Sequence, residues 1–208
     1  MSAPRPKNLA RVLLAAVLSA AISVVAAGTS SAGLLVETAT DCAAQPLAQP
    51  FKRWGDSANY TLLPGGTFED GAPAWTLSRA TRVNGNEPFY VHGRLDRKSL
   101  SIRPGGHAVS RSICVGLEHP TMRFFARSSG ILPLMSVEVI TETSLGAQVS
   151  LPIGVVTPRS SYGPTPTYII LANLLPLLPN NYTAVAFRFR AVTGTWTIDD
   201  AYVDPKKH

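Results

Sequence analysis

Apolar and polar side chains alternate with a period of two along much of the chain beyond residue 60. The clearest run is 184–190, where Val185, Phe187 and Phe189 alternate with Ala186, Arg188 and Arg190. Successive side chains of a strand point to opposite faces, so such a run buries one face and wets the other. Residues 134–143 repeat the pattern, with Met135, Val137, Val139 and Thr141 on one face and Glu138 and Glu142 on the other. Further strands are predicted at 74–79, 82–83, 88–93, 100–103, 108–115, 122–128, 148–153 and 196–203. Asn84-Gly85-Asn86, Pro104-Gly105-Gly106 and Ser128-Ser129-Gly130 separate them at short intervals. Thr193-Gly194-Thr195 reads as the turn of a hairpin pairing 184–190 with 196–203. This rhythm predicts an all-β chain of two packed antiparallel sheets, and it argues against βαβ units.

Two segments break the rhythm. Residues 33–59 carry Pro46 and Pro50 among small polar residues and read as an extended lead-in to a domain over 60–208. Residues 168–178 are almost wholly apolar, interrupted by Asn173 and Pro176, and read as a buried strand ending in a turn. That stretch is too short to span a bilayer.

The N-terminus belongs to targeting rather than to the fold. Arg5, Lys7 and Arg11 precede an apolar run from Val12 to Ala27, and Ser30-Ser31-Ala32 supplies the small residues a signal peptidase needs. The expectation is a signal peptide over 1–32, export to the extracellular side, and no membrane span after cleavage. Removing it changes the charge. The whole chain has 19 basic and 13 acidic residues, net +6; three basic and no acidic residues leave, giving 16 against 13, or +3. That excess is scattered, which excludes the clustered footprint of a nucleic-acid binder. The two cysteines, Cys42 and Cys114, are an even count in an oxidising compartment, so a disulfide is expected. No Cys-x-x-Cys, zinc motif or Gly-x-Ser-x-Gly elbow is present.

Two motifs near opposite ends of the domain carry a resemblance. One is Gly65-Gly66-Thr67-Phe68-Glu69-Asp70-Gly71 followed by Trp75-Thr76-Leu77; the other is Trp196-Thr197-Ile198-Asp199-Asp200-Ala201-Tyr202-Val203-Asp204-Pro205. They resemble the opening and closing strands of the galactose-binding-like jelly rolls of many carbohydrate-binding modules. The resemblance implies a jelly-roll sandwich whose first and last strands lie together, and a secreted, non-catalytic module for an extracellular or cell-surface glycan. It further implies a structural calcium between those strands, with Glu69, Asp199 and Asp200 as carboxylate ligands. A hard cation of this kind takes six to eight oxygens. The alternative is a Glu69 paired with Arg188 or Arg190 and a solvated Asp pair.

Flat aromatic faces are the usual partners of sugar rings, and Trp54, Tyr90 and Tyr162 are the candidate ligand contacts. Trp75 and Trp196 match framework positions of the resembled family instead. The same carboxylates could be read as the acid and base of a glycoside hydrolase, which would require a cleft and a raised pKa. An adhesive or envelope-associated protein that binds another protein is the competing reading of the whole chain. The string from Cys114 to Arg127 reads as strand, loop around Pro120, and strand with Arg123 and Arg127 on the wet face. Asn59-Tyr60-Thr61 and Asn181-Tyr182-Thr183 are glycosylation sequons.

Overall fold

The computed structural model describes residues 42–116, 120–142, 147–170 and 182–205. The expected signal peptide, the apolar stretch beyond residue 170 and Asn181 lie outside the described residues. The described residues belong to one compact unit, Leu34–His208. Among the described residues, apart from a short 3₁₀ turn at Lys52–Trp54, the elements are strands: β1 Thr61–Leu62, β2 Trp75–Asn84, β3 Lys98–Ser110, β4 Ile113–Gly116, β5 Thr121–Glu142, β6 Gln148–Val156, β7 Gly163–Pro164, β8 Tyr168–Ile169 and β9 Tyr182–Asp204. All pair antiparallel in the order β2-β3-β9-β5-β6, with β1 and β4 joined to β9 and β7 and β8 to β5. No helix among the described residues is long and apolar enough to cross a membrane.

The long strands fold over on themselves, and that makes the sandwich. Register slips between Ser78 and Ala80 in β2, between Ile102 and His107 in β3, and between Ser129 and Leu134 in β5. Gly105, Gly130 and Gly194 adopt positive φ along this line, a region open to glycine at no steric cost. Each strand therefore bends at one level and contributes its two halves to two facing layers. Phe124 shows the result. It precedes the Phe125↔Asp199 pair, far along the ladder from Phe189↔Val137, yet its ring meets that of Phe189 edge-on at 4.9 Å.

These bends correct two expectations. Residues 184–190 and 196–203 do not pair as a hairpin; both lie on β9, and β3 and β5 flank each of them. Thr193-Gly194-Thr195 is a bend within a strand, as is Pro104-Gly105-Gly106, because neighbouring strands turn with it and the ladder continues beyond. The strand expected at 88–93 is a loop. Glu87 captures the amides of Phe89 and Val91 with its carboxylate, withdrawing them from any ladder.

Between the layers lies the main core, where Leu100, Ile102, Met122, Phe124, Met135, Val137, Val139, Val185, Phe187, Phe189, Trp196 and Ile198 are wholly buried. Burying each such side chain stabilises by ~1.5–3 kcal/mol. The first and last strands lie together: β1 pairs β9 through Thr61↔Val203 and Leu62↔Tyr202, and the Leu63 amide donates to Ala201 at 2.8 Å. Cys42 and Cys114 are joined, with Cα atoms 5.8 Å apart. The bridge pins the lead-in to β4, helped by Gln45, whose side chain donates to the Cys114 carbonyl at 2.8 Å. From there the chain crosses the outer face of one layer, where Phe51 and Tyr60 pack with Phe125 and Tyr202 in a second, smaller core.

Candidate functional site

That outer face is built by the half-strands carrying Arg123, Phe125 and Arg127 on β5 and Asp199 and Tyr202 on β9. In an open sandwich it would face water, which is why alternation placed Arg123 on a wet face. The lead-in covers it, so Arg123 is buried, a correction to that expectation. Its guanidinium is held on three sides. Nη1 donates to Asp56 Oδ2 at 2.6 Å, Nε donates to the Thr165 carbonyl at 2.9 Å, and the Phe51 ring lies 4.5 Å away. Asp56 also accepts from the Tyr60 hydroxyl at 2.8 Å and from the Ala58 amide at 3.1 Å. Burial alone would raise the Asp56 carboxyl, but the Arg123, Tyr60 and Ala58 donors outweigh it and hold the carboxyl below its ordinary range. Burial, with Asp56 beside it, pushes the Tyr60 phenol up to about 12.

Above this pair opens a cleft of about 650 Å³ lined by Trp54, Asp56, Asn59, Arg123, Thr167 and Asp204, among others. The 3₁₀ turn places Trp54 at its rim. The indole leans edge-on against Phe89 at 5.0 Å and Phe125 at 5.3 Å, and the Arg53 guanidinium lies 4.9 Å from its centroid. The cleft thus joins a braced aromatic ring to a fixed charge pair. Of the three aromatic candidates, Trp54 lines it and the other two do not. Tyr90 sits on the 85–97 loop, 46% exposed, at a backbone φ of 52°. Tyr162 is half-buried beneath the Arg127 guanidinium, 5.0 Å from its ring, and burial pushes its phenol up to about 12.

The acidic candidates have different partners. Glu69 Oε1 accepts the amides of Arg97 and Lys98, each at 2.6 Å, and so closes the start of β3. Its partner is backbone rather than Arg188, which pairs with Glu138 at 2.9 Å. Asp199 and Asp200 are wholly buried beside Glu87. Asp199 Oδ2 accepts the Glu87 amide at 2.8 Å and Oδ1 the Asp200 amide at 3.0 Å. Both Asp200 oxygens are buried, and neither is closely hydrogen-bonded, the His92 amide being the one donor near them. Burial pushes Asp199 up to about 9, reinforced by Asp200 beside it. Burial pushes Asp200 up to about 7, with Glu87 adding to the shift and His92 opposing it.

The implied calcium can be tested against these contacts. A shared ion needs free carboxylate oxygens converging on one point. Glu69 spends one oxygen on two amides, Asp199 spends both of its oxygens on amides, and the Asp200 carboxyl lies beside the His92 amide. Among the described residues no three His, Cys, Asp or Glu side chains are placed to hold a metal ion. The trio Glu69, Asp199 and Asp200 does not fit the ion as arranged.

Sequence reasoning passed over Asp56, Arg123 and Glu87. The Gly55-Asp56-Ser57 turn after Trp54 was the one local signal. Arg123 and Glu87 acquire their roles only when distant segments cover the sheet.

No family model matches the sequence, and no curated protein matches it. In fold the chain is similar to the family 22 carbohydrate-binding and GH10 modules of Clostridium thermocellum xylanase 10B, complexed with xylohexaose. The TM-score is 0.49 at 11% identity, covering 68% of this chain and 28% of that one. It is also similar to the C-terminal family 6 module of LamC from Zobellia galactanivorans, with TM-score 0.46, 9% identity, and 70% and 98% of the two chains covered. A third likeness is the family 22 xylan-binding domain of Paenibacillus barcinonensis Xyn10C, with TM-score 0.46, 9% identity, and 69% and 94% covered. With these TM-scores under 0.5, the functional reading has to come from the chain's own residues.

Proposed function

We propose that this chain is a secreted, non-catalytic binding module that takes a carbohydrate in the cleft of Trp54, Asp56, Asn59, Arg123, Thr167 and Asp204. One observation carries the reading: an indole braced by two phenyl rings stands beside an anchored Arg–Asp pair in a space of about 650 Å³. Small-ligand clefts fall in the range of roughly 300–1,000 Å³. An aromatic face packs on the C–H face of a sugar ring, while guanidinium, carboxylate and amide groups bind hydroxyls around it. The charge pair costs little to present, because Asp56 and Arg123 already hold each other and the backbone in place. The disulfide fits an oxidising, extracellular compartment.

The test is a glycan array probed with the exported protein, followed by titration of any hit against Trp54→Ala and Asn59→Ala. Trp54→Ala should weaken binding by about tenfold or more, ~1.4 kcal/mol, with a thermal melt checking that the variant, which loses the packing on Phe89 and Phe125, still folds. An array without hits would overturn the proposal and leave the protein-binding alternative standing.

A further inference from the structure

At the bend, β5 spends Gly130, Ile131, Leu132 and Pro133 where β9 spends one residue, between the pairs Ser129↔Thr195 and Leu134↔Thr193. The surplus stands out as a knob. Ile131 is 89% exposed and Leu132 84% exposed. Leu134, which pairs with Thr193, and its near neighbour Val192 on β9 are also partly exposed, at 41% and 42%. The knob is not slack. Leu132 is held at φ 46°, its carbonyl accepts the Thr193 hydroxyl at 2.6 Å, and the Trp196 indole N–H donates to the Thr193 carbonyl at 3.2 Å. A left-handed, non-glycine residue persists only where its surroundings enforce it, and such strain gathers at functional positions.

The charges around the knob are of one sign. The stretches that meet at the bend, 78–80, 102–107, 127–136 and 190–197, contain exposed Arg79, Arg103, Arg127 and Arg190 and no acidic residue. Arg103 follows Ile102, which pairs with Trp196, and so lies two strands from the knob, ~10 Å at ordinary strand spacing. Glu138, farther along β5, pairs with Arg188 and lies near Arg190 as well, the one carboxylate close to this basic set.

We infer that this crest docks on a membrane surface bearing anionic lipid, with Ile131 and Leu132 entering the interface and the arginines meeting the headgroups. A convex knob of two side chains offers far less than the ~800 Å² per partner of a stable protein interface. Aliphatic insertion combined with cationic attraction is what an anionic bilayer surface selects. The inference is independent of the cleft and stands whether or not that cleft takes a sugar.

The experiment is co-sedimentation of the protein with phosphatidylcholine vesicles, with and without phosphatidylglycerol, at low and physiological salt. Binding to the anionic vesicles is expected, with little to the neutral ones. Ile131→Ser with Leu132→Ser should weaken binding on the order of 100-fold, and Arg103→Gln with Arg190→Gln should weaken it and flatten its salt dependence. Thermal melts report whether each variant folds. Ile131→Trp gives a second readout: its emission should shift to the blue on anionic vesicles. No binding of the native chain to anionic vesicles would overturn the inference. So would equal binding to neutral vesicles, undiminished binding of the double serine variant, or an unshifted Ile131→Trp spectrum.

Discussion

Asp200 offers the sharpest physical test of the interior. Its carboxyl is wholly buried, with the His92 amide as its one nearby donor, and burial pushes it up from 3.8 to about 7. In the unfolded chain the proton leaves near pH 4; in the folded chain it stays to about pH 7. Between those values the folded state binds the extra proton, so stability falls as pH rises. One pKa unit is ~1.4 kcal/mol, and the interval therefore amounts to on the order of 4 kcal/mol. Asp199, raised to about 9, extends the decline above neutrality. Asp200→Asn keeps the side-chain shape, tolerates the φ of 45° at this position, and cannot ionise. At pH 8 it should be more stable than the native chain by ~2–4 kcal/mol, and the gap should close toward pH 4. For a domain of this size each kcal/mol moves Tm by ~2–4 °C. Thermal melts from pH 4 to 9, in chelator and again in millimolar calcium, measure this directly. The reasoning is refuted if native stability in chelator is flat or rises from pH 5 to 8, or if Asp200→Asn is the weaker protein at pH 8. A rise in native Tm with calcium would show a cation holding the carboxylate ionised.

Three further outcomes are expected. Asp56→Ala strands the buried Arg123 guanidinium and should lower stability by ~2–4 kcal/mol in urea titrations, whereas Glu138→Ala, breaking a wetter pair, should lower it by under ~1 kcal/mol. Replacing Cys42 and Cys114 by serine should remove ~2–4 kcal/mol and expose the lead-in to limited proteolysis, since the bridge ties it to β4. Gly194→Ala meets both a φ of 67° and the Pro133 side chain, 2.5 Å from where its Cβ would stand. It should destabilise by ~2 kcal/mol or more, read as a lowered chemical-denaturation midpoint at unchanged slope.

The parts of this fold legible in sequence are those fixed by local alternation. Val185, Phe187 and Phe189 had to share a face, as did Met135, Val137 and Val139, and all are buried. Cys42 and Cys114 were legible by count alone. The bends were not, because Gly194 with Thr193 and Thr195 carries the same chemistry as a hairpin turn; only neighbouring strands bending at one level distinguish them. At the site, Trp54 could be named from sequence as one of three candidate aromatics, and that it lines the cleft follows only from the fold. Arg123 was not legible, since its strand pattern says solvent and only the returning lead-in makes it interior. Glu87 was hidden for a similar reason. A carboxylate before Pro88 looks like a turn residue until Asp199, distant in sequence, accepts its amide.

The central claim concerns the Trp54 cleft, and tryptophan fluorescence tests it most directly. Of the three tryptophans, Trp75 and Trp196 are buried in the main core, and only Trp54 stands at the cleft. Titrating the exported protein with the oligosaccharide that an array selects should give a saturable emission change. That change should vanish in Trp54→Phe, whose remaining tryptophans report an intact fold. Saturable binding with the same emission change in Trp54→Phe would place the ligand elsewhere and contradict the account.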